Sequence, residues 1–281
     1  MPLKLKLTLA VFRRAVVRLL GKVMSNRLCV PLLAAVAGGY LLRRQGVRWG
    51  ATDEEVHEPL PGDEIVPHPM LETTHAVTID APAEVVWPWL VQMGHYRAGF
   101  YADPSWWDRL PDKYLRSLSR KEAEESGYGF REKPSEERIV PEFQDLAVGD
   151  TILDGPPGSA FFTVCLMEPN RALVLYSDTH LRLMAPESIR ENPTYGIQGE
   201  FSWAFVLEEK GQRGARLILR TRANYGPRLY RALTLPLILV GGEFLTTRKL
   251  LYGIKRRVER TDQAHHPDPS PGPGLIEEEA T

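Results

Sequence analysis

The sequence predicts an α+β fold in which a curved antiparallel sheet wraps around a long C-terminal helix, with an additional helical leader at the N-terminus. Two observations favour this fold. Apolar and polar residues alternate between residues 151 and 223, interrupted by Pro and Gly turns, as is typical of consecutive antiparallel strands. Residues 227–260 then carry an apolar stripe at helical spacing with Arg and Lys on the other side, which indicates one long amphipathic helix.

Residues 1–48 form a basic and apolar leader, which we interpret as a membrane anchor. Residues 1–50 hold ten Lys and Arg and no Asp or Glu, and residues 12–23 have the apolar spacing of a basic amphipathic helix. Residues 28–42 carry no charge, but such a helix rises only about 22 Å, less than a hydrocarbon core of roughly 30 Å. The anchor would span the bilayer or lie on it, and the protein would be membrane-associated. A helix packed on the main domain and a cleaved signal peptide are the alternatives.

Residues 49–72 form a Pro- and acid-rich connector between the leader and the main domain. Within it, Thr52 and Glu55 fit a capping box, in which each residue's side chain accepts the other's backbone N–H. This pattern predicts that a helical turn begins in the connector.

The main domain, residues 73–260, opens with a predicted strand over Thr74–Ile79. Asp80 is expected to cap a following helix that runs toward Met93. Pro88 lies inside that helix and is expected to kink or divide it, because proline has no N–H to donate.

Five further strands precede the C-terminal helix, and a hairpin at Gly211–Gly214 joins the last two. Residues 261–281 are Pro-rich and polar, and we predict a disordered tail there. The five strands are predicted at Thr151–Leu153, Ala160–Glu168, Arg171–Ser177, Glu200–Glu208 and Ala215–Ala223.

Charge and motifs exclude several classes of protein. Outside the first 50 residues the chain holds 25 basic and 36 acidic residues, so we expect no nucleic-acid partner for the main domain. Two cysteines, Cys29 and Cys165, are too few for a disulfide framework or a structural zinc site. The glycine-rich nucleotide loops and the His-Glu-x-x-His helix are absent from the sequence, and we expect neither a metal nor a cofactor.

Catalytic residue types also occur at the end of one predicted strand. Ser177, Asp178 and His180 are the residue types of a hydrolytic triad. Such close neighbours on one strand end are not expected to adopt triad geometry by themselves.

Large aromatic residues on inward strand positions and on the divided helix are the candidates for lining a binding cavity. The alternative is that each of them only fills the core. Trp203 and Phe205 share one strand face, so they are expected to act together. The candidates are Trp89, Phe100, Tyr101, Trp106, Tyr176, Trp203 and Phe205.

Arg97 and Glu142 are the candidate polar pair, because each lies among aromatic residues in the sequence. Burial of these charges would be costly unless they paired or bound a polar group of a ligand. A structural salt bridge, orientation of a ligand carboxylate or enolate, and acid–base catalysis are the three interpretations.

The run Val77–Leu90 resembles the opening of the START-like, or SRPBCC, helix-grip superfamily, which includes Bet v 1-type and polyketide cyclase/dehydrase-like proteins. Other segments resemble a bacterial subgroup of that superfamily with a hydrophobic N-terminal leader. The resemblance covers roughly residues 49–260. Its further segments are residues 49–55, 60–63, 92–94, 97–101, 138–146, 201–205 and 251–257.

This resemblance implies a cavity between the sheet and the C-terminal helix that binds a hydrophobic small molecule. Binding or transport of a lipid-like or polyketide-like molecule is our first hypothesis, because the sequence carries no common catalytic motif. A cyclase/dehydrase-type enzyme using Arg97, Glu142 or Asp103 in the same cavity is the second. A non-catalytic interaction protein with a filled core is the third.

Overall fold

The structure is a computed structural model that describes residues 46–102, 135–155, 160–180, 198–211, 213–226 and 240–265. These residues belong to one structural unit, which begins at Gly46. Its helices are α1 (Asp53–His57), α2 (Ala83–Val91) and α3 (Val240–His265), with a 3-10 turn at Pro141–Phe143. Its strands are β1 (Leu71–Ile79), β2 (Thr151–Leu153), β3 (Phe161–Glu168), β4 (Ala172–Ser177), β5 (Gln198–Lys210) and β6 (Gly214–Gly226).

The six strands form one curved antiparallel sheet in the order β1-β6-β5-β4-β3-β2. A bulge at Cys165, between Val164 and Leu166, shifts the register of β3 against β4, and bulges of this kind bend a strand. Helix α3 contacts β1 and α2 on the inner face of the sheet. Its fully buried hydrophobic residues are Leu250, Leu251, Ile254 and Val258. The predicted α+β arrangement is confirmed.

Helix α2 begins at Ala83 because Pro82 occupies the N-cap position. The predicted cap at Asp80 is therefore wrong, and the backbone N–H of Asp80 donates instead to Glu259 on α3 (2.9 Å). Pro88 lies inside α2, which stays one helix and ends three residues later at Val91. Of the two outcomes expected at Pro88, a kink or a division, the division does not occur.

Helix α3 continues to His265, so residues 261–265 of the predicted disordered tail are helical. Residues 261–265 contain no proline or glycine, and the Thr261 hydroxyl donates to the carbonyl of Arg257 (2.9 Å). The first proline after the helix is Pro267. In the part of the chain that the structure describes, no helix is both long and apolar enough to cross a membrane. The candidate anchor, residues 28–42, lies outside that part.

The connector covers the outer face of the sheet, the face opposite α3. Leu60 packs there in a small apolar cluster with Ala76, Val206 and Ile218. The predicted capping box between Thr52 and Glu55 is present at the start of α1. Residues 49–72 are therefore packed against the sheet, and β1 already begins at Leu71.

Buried Arg220, on the outer face of β6, holds the connector in place. Its guanidinium donates to the carbonyls of Glu55 (2.6 Å), Val56 (3.2 Å) and Glu58 (2.8 Å). It also forms an ion pair with Asp63 (2.8 Å). The Arg220 side chain is only 2% exposed, so one buried cation satisfies the carbonyl groups at the end of α1.

Two further β6 arginines extend this attachment along the connector. Arg216 donates to both carboxylate oxygens of Glu55 (2.6 and 2.9 Å), and Arg222 donates to the carbonyl of Val66 (3.0 Å). Burial alone would raise the pKa of Glu55, but hydrogen bonds from Arg216 and from the Thr52 backbone lower it below its ordinary value. Glu55 is therefore held in its charged form.

Close approach of the backbone joins α3 to the loop after α2. A Cβ atom at Gly253 would lie 2.0 Å from the carbonyl oxygen of Tyr101, which only glycine avoids. Tyr101 itself has a positive φ of 57°. Its hydroxyl donates to the carbonyl of Trp89 (2.9 Å), and the Arg257 guanidinium lies over its ring. These contacts hold an unfavourable backbone conformation in place.

We predict that Arg220→Met lowers the free energy of unfolding by about 3 kcal/mol, because three carbonyl groups and Asp63 lose a buried donor. Methionine keeps most of the apolar stem, so the loss reports the charge and its hydrogen bonds. The change is measured as the shift of the urea midpoint. Arg213→Met, at an exposed hairpin position, is the control and should change stability by less than about 0.5 kcal/mol. Equal midpoints for the two variants would contradict the prediction.

We predict that Gly253→Ala lowers the free energy of unfolding by about 2 kcal/mol, although alanine favours a helix over glycine by about 1 kcal/mol. The added methyl group cannot fit beside the Tyr101 carbonyl. Thermal or urea unfolding measures the change, and Thr246→Ala at an exposed position of α3 is the control. A Gly253→Ala protein as stable as the control would show that this contact is not tight.

Candidate functional site

Five rings meet on the inner face of the sheet and form what we call the aromatic cluster: Phe100, Phe162, His180, Phe201 and Trp203. The Phe162 ring stacks on Trp203, with centroids 5.0 Å apart, and contacts Phe201 at 5.4 Å. His180 lies 4.4 Å from Phe162 and 5.0 Å from Phe201. Phe100 approaches Phe162 and Trp203 from the loop after α2, at 6.1 and 6.4 Å.

Trp203 is only partly buried, although it occupies the middle of β5 with a strand on each side. It faces Leu175 on β4 and Thr221 on β6, and these partners place it on the inner face. An indole at the centre of a sheet is accessible only where the elements above it leave space. Phe100 is also partly buried, whereas Phe162 and Phe201 are buried. The accessible part of the aromatic cluster therefore consists of Phe100, Trp203 and the partly buried ring of His180.

A hydrogen-bonded chain of Ser177, His180 and Asp154 lies at the edge of this cluster. The Ser177 hydroxyl is 2.6 Å from His180 Nδ1, and His180 Nε2 is 3.0 Å from an Asp154 carboxylate oxygen. Both hydrogen bonds are satisfied when the ring carries its proton on Nε2, donates to Asp154 and accepts from Ser177. These three side chains have the residue types and order of a hydrolytic triad. The ring nitrogens are exchanged, because Ser177 contacts Nδ1 and Asp154 contacts Nε2.

Sheet topology brings Asp154 to His180. Strands β2 and β4 both pair antiparallel with β3, so they run parallel to each other. Their C-terminal ends therefore lie at the same end of the sheet. Asp154 follows β2 and His180 closes the turn after β4. The carboxylate beside His180 is that of Asp154, which the sequence analysis did not single out.

Ser177 is poorly placed to act as a nucleophile. Its side chain is buried, and its oxygen already accepts the backbone N–H groups of Thr179 (3.1 Å) and His180 (3.4 Å). Hydroxyl groups in such turns commonly stabilise the backbone. The hydrogen bonds among Ser177, His180 and Asp154 connect the ends of β2 and β4 and orient the His180 ring against the aromatic cluster.

Three predicted lining residues belong to the filled core. Trp89, Tyr101 and Phe205 are each 0% exposed, so no water-sized space touches them. Trp89 and Tyr101 pack edge to face at 5.8 Å. Burial raises the pKa of the Tyr101 phenol above its ordinary value. In this structure the three residues are therefore part of the packed core.

Tyr176 lies on the outer face of the sheet and not at the inward position that was predicted for it. It faces Ser202 on β5, whereas Trp203 faces its neighbour Leu175. The Tyr176 hydroxyl donates to Glu200 (3.2 Å). Burial, followed by the negative charge of Glu200, raises the pKa of Tyr176 to about 12.

Arg97 and Glu142 do not form the predicted pair. Glu142 is exposed on the 3-10 turn, because Pro141 starts that turn at the surface. The Arg97 guanidinium donates to the carbonyls of Val91 (3.1 Å) and Phe143 (2.5 Å). Burial lowers the pKa of Arg97. Arg97 therefore caps the end of α2, and neither residue reaches the aromatic cluster.

Two of the nine candidates, Phe100 and Trp203, lie in the accessible part of the cluster, and Trp106 lies outside the described residues. Sequence analysis missed Phe162, Phe201 and His180. The alternation of Phe201, Trp203 and Phe205 along one strand could have indicated Phe201. Among the residues the structure describes, no group of His, Cys, Asp and Glu could hold a metal ion. Cys165 is partly buried, which raises the pKa of its thiol.

We predict that Ser177→Ala lowers the free energy of unfolding by about 1–3 kcal/mol, because His180 and two backbone N–H groups each lose a partner. Urea unfolding measures this change, with Thr163→Ala on the neighbouring strand as the control. The native chain should also remain unlabelled by a fluorophosphonate probe, as expected for a buried hydroxyl. An adduct on Ser177, detected by mass spectrometry, would contradict this and indicate a nucleophile.

Comparisons with known proteins found similar solved structures, all of low sequence identity. No family model matches the sequence, and no curated protein matches it. Solved structures similar to this chain include norcoclaurine synthase from Thalictrum flavum, with 13% identity, a TM-score of 0.34, and coverage of 74% of this chain and 95% of that one. CalU16 from Micromonospora echinospora has 15% identity, a TM-score of 0.27, and coverage of 69% and 88%. A Mesorhizobium loti protein has 18% identity, a TM-score of 0.33, and coverage of 67% and 98%.

These values establish neither an activity nor a ligand. The fold follows from the elements themselves, a strand and helix followed by five antiparallel strands and a long helix on the inner face of the sheet. The described part of the chain therefore has the α+β arrangement that its sequence predicts, a curved antiparallel sheet with a long helix on its inner face.

Proposed function

We propose that this protein binds a hydrophobic small molecule against the accessible part of the aromatic cluster. The observation that carries the proposal is the partial exposure of Trp203 at the centre of the sheet. A core residue at this position would be covered on the inner face, as Phe205 is two residues later. Phe100 and Trp203 together offer apolar surface to a bound molecule, which gains from desolvation and from stacking.

The chemistry of the cluster favours a neutral ligand with a flat apolar part. Four of its five rings are hydrocarbon or indole, and both nitrogens of His180 are already hydrogen-bonded within the protein. Arg97 and Glu142, the charged residues that could have oriented a carboxylate, lie elsewhere. A lipid-like or polyketide-like molecule with a conjugated or aromatic segment fits these surroundings.

Two alternatives have less support from the geometry. An enzyme of the cyclase or dehydrase type needs an acid or base free to reach the ligand. Among the described residues at the aromatic cluster, His180 uses both ring nitrogens and Ser177 is buried, and the candidate Asp103 lies outside the described residues. A non-catalytic interaction protein with a filled core would cover Trp203. Binding is therefore the function that the arrangement supports best.

We predict that Trp203→Leu weakens binding of a hydrophobic fluorescent probe such as 1-anilinonaphthalene at least tenfold, because the stacking surface is lost. The full-length chain is titrated with the probe, and native mass spectrometry of the gently purified protein identifies any molecule that remains bound. Tyr176→Phe is the matched control, since Tyr176 lies beside Trp203 in the sheet but on the outer face.

The control should bind the probe as the unchanged protein does. Equal affinities of the two variants would place the probe away from the aromatic cluster and contradict the proposal. Urea unfolding of both variants distinguishes lost binding from a lost fold.

A further inference from the structure

The exposed side of α3 carries a stripe of cations around one exposed aromatic residue. Arg248, Tyr252, Arg256 and Arg260 follow one another at four-residue spacing, which places them on one helix face. Tyr252 is 45% exposed. Lys249 and Lys255 flank the row. We call this surface, residues 248–260 on the exposed side of α3, the α3 basic stripe.

Carboxylates neutralise only one end of the α3 basic stripe. Glu259 pairs with Lys255 (2.6 Å), and Glu137 pairs with Arg260 (3.0 Å). At the other end, neither Arg248 nor Lys249 has a carboxylate partner among the residues described. The Arg248 guanidinium instead lies over the rings of Trp49 and Tyr252, at 5.4 and 5.5 Å. Arg248, Lys249 and Tyr252 thus form a cationic surface with aromatic rings in it.

The chain enters the domain beside this end of the stripe. Trp49 contacts Tyr252 at 5.2 Å and Phe244 at 6.4 Å, and the carbonyl of Gly46 is 2.7 Å from the His75 ring. In the sequence, only three residues separate Gly46 from the end of the uncharged segment 28–42. The chain that follows the basic, apolar leader sequence therefore enters the domain beside Trp49, where the α3 basic stripe is least neutralised.

We propose that the α3 basic stripe docks on the surface of an anionic lipid membrane. Lysine and arginine are attracted to anionic headgroups, and tyrosine and tryptophan favour the boundary between headgroups and hydrocarbon. Both residue types are combined at Trp49, Arg248, Lys249 and Tyr252. A lipid surface also accounts for the position of the chain entry, which an acidic protein partner would not require.

The full-length chain tests this with vesicles of phosphatidylcholine alone and vesicles that contain about one-third phosphatidylserine. We expect Arg248→Gln/Lys249→Gln to reduce the affinity for the anionic vesicles about 25-fold, from about fivefold per cation. The affinity for neutral vesicles should not change. Arg171→Gln/Arg213→Gln removes the same charge from the two strand hairpins and should reduce affinity for anionic vesicles less than threefold.

Equal affinities of the two double variants for anionic vesicles would overturn the proposal, because only overall charge would then matter. That outcome would leave an acidic protein as the partner of the α3 basic stripe. Urea unfolding confirms that each variant remains folded. Binding of the hydrophobic probe is measured on the same variants. A loss of probe binding would bear on the proposed function of the aromatic cluster and not on membrane docking.

Discussion

The ion pairs and hydrogen bonds of Arg220 are the interaction on which the rest of the structure depends. A guanidinium buried on the outer face of β6 is tolerable only because carbonyl groups of the connector and Asp63 surround it. The connector is thereby held over that face, and the Trp49 backbone carbonyl accepts a hydrogen bond from Ala76 of β1 (3.1 Å). The connector therefore covers the outer face where β1, β6 and β5 lie side by side.

The inner face is divided between a filled core and an accessible aromatic cluster. On the α2 side, Trp89 and Tyr101 pack directly against each other, and the close approach of Gly253 to Tyr101 leaves no space. On the β3–β5 side, the pairing of β3, β4 and β5 and the turn after β4 bring Phe162, His180 and Trp203 together. Aromatic residues of similar sequence context therefore differ in burial, which depends on the elements that pack over them.

Much of the fold was predictable because it depends on local patterns. The β2 strand and the hairpin between β5 and β6 were predicted closely, since side-chain alternation and turn glycines act over a few residues. The capping box at Thr52 is local in the same way. Asp80 failed as a cap because Pro82 two residues later determines where the helix begins. The prediction of an Arg97–Glu142 pair was wrong because the residue types around a position do not determine where its side chain points.

The sequence by itself determined the order of the elements, the amphipathic stripe of α3 and the presence of many aromatic residues on strands. Only the tertiary structure decided which aromatic residues stay accessible and that Asp154 reaches His180 from another strand. The tertiary structure also placed the chain entry at Trp49 beside Arg248. The physical reason is that periodicity depends on neighbours within a turn or a strand. Burial and side-chain partners depend on residues tens to hundreds of positions away, which only the packed sheet and helix bring together.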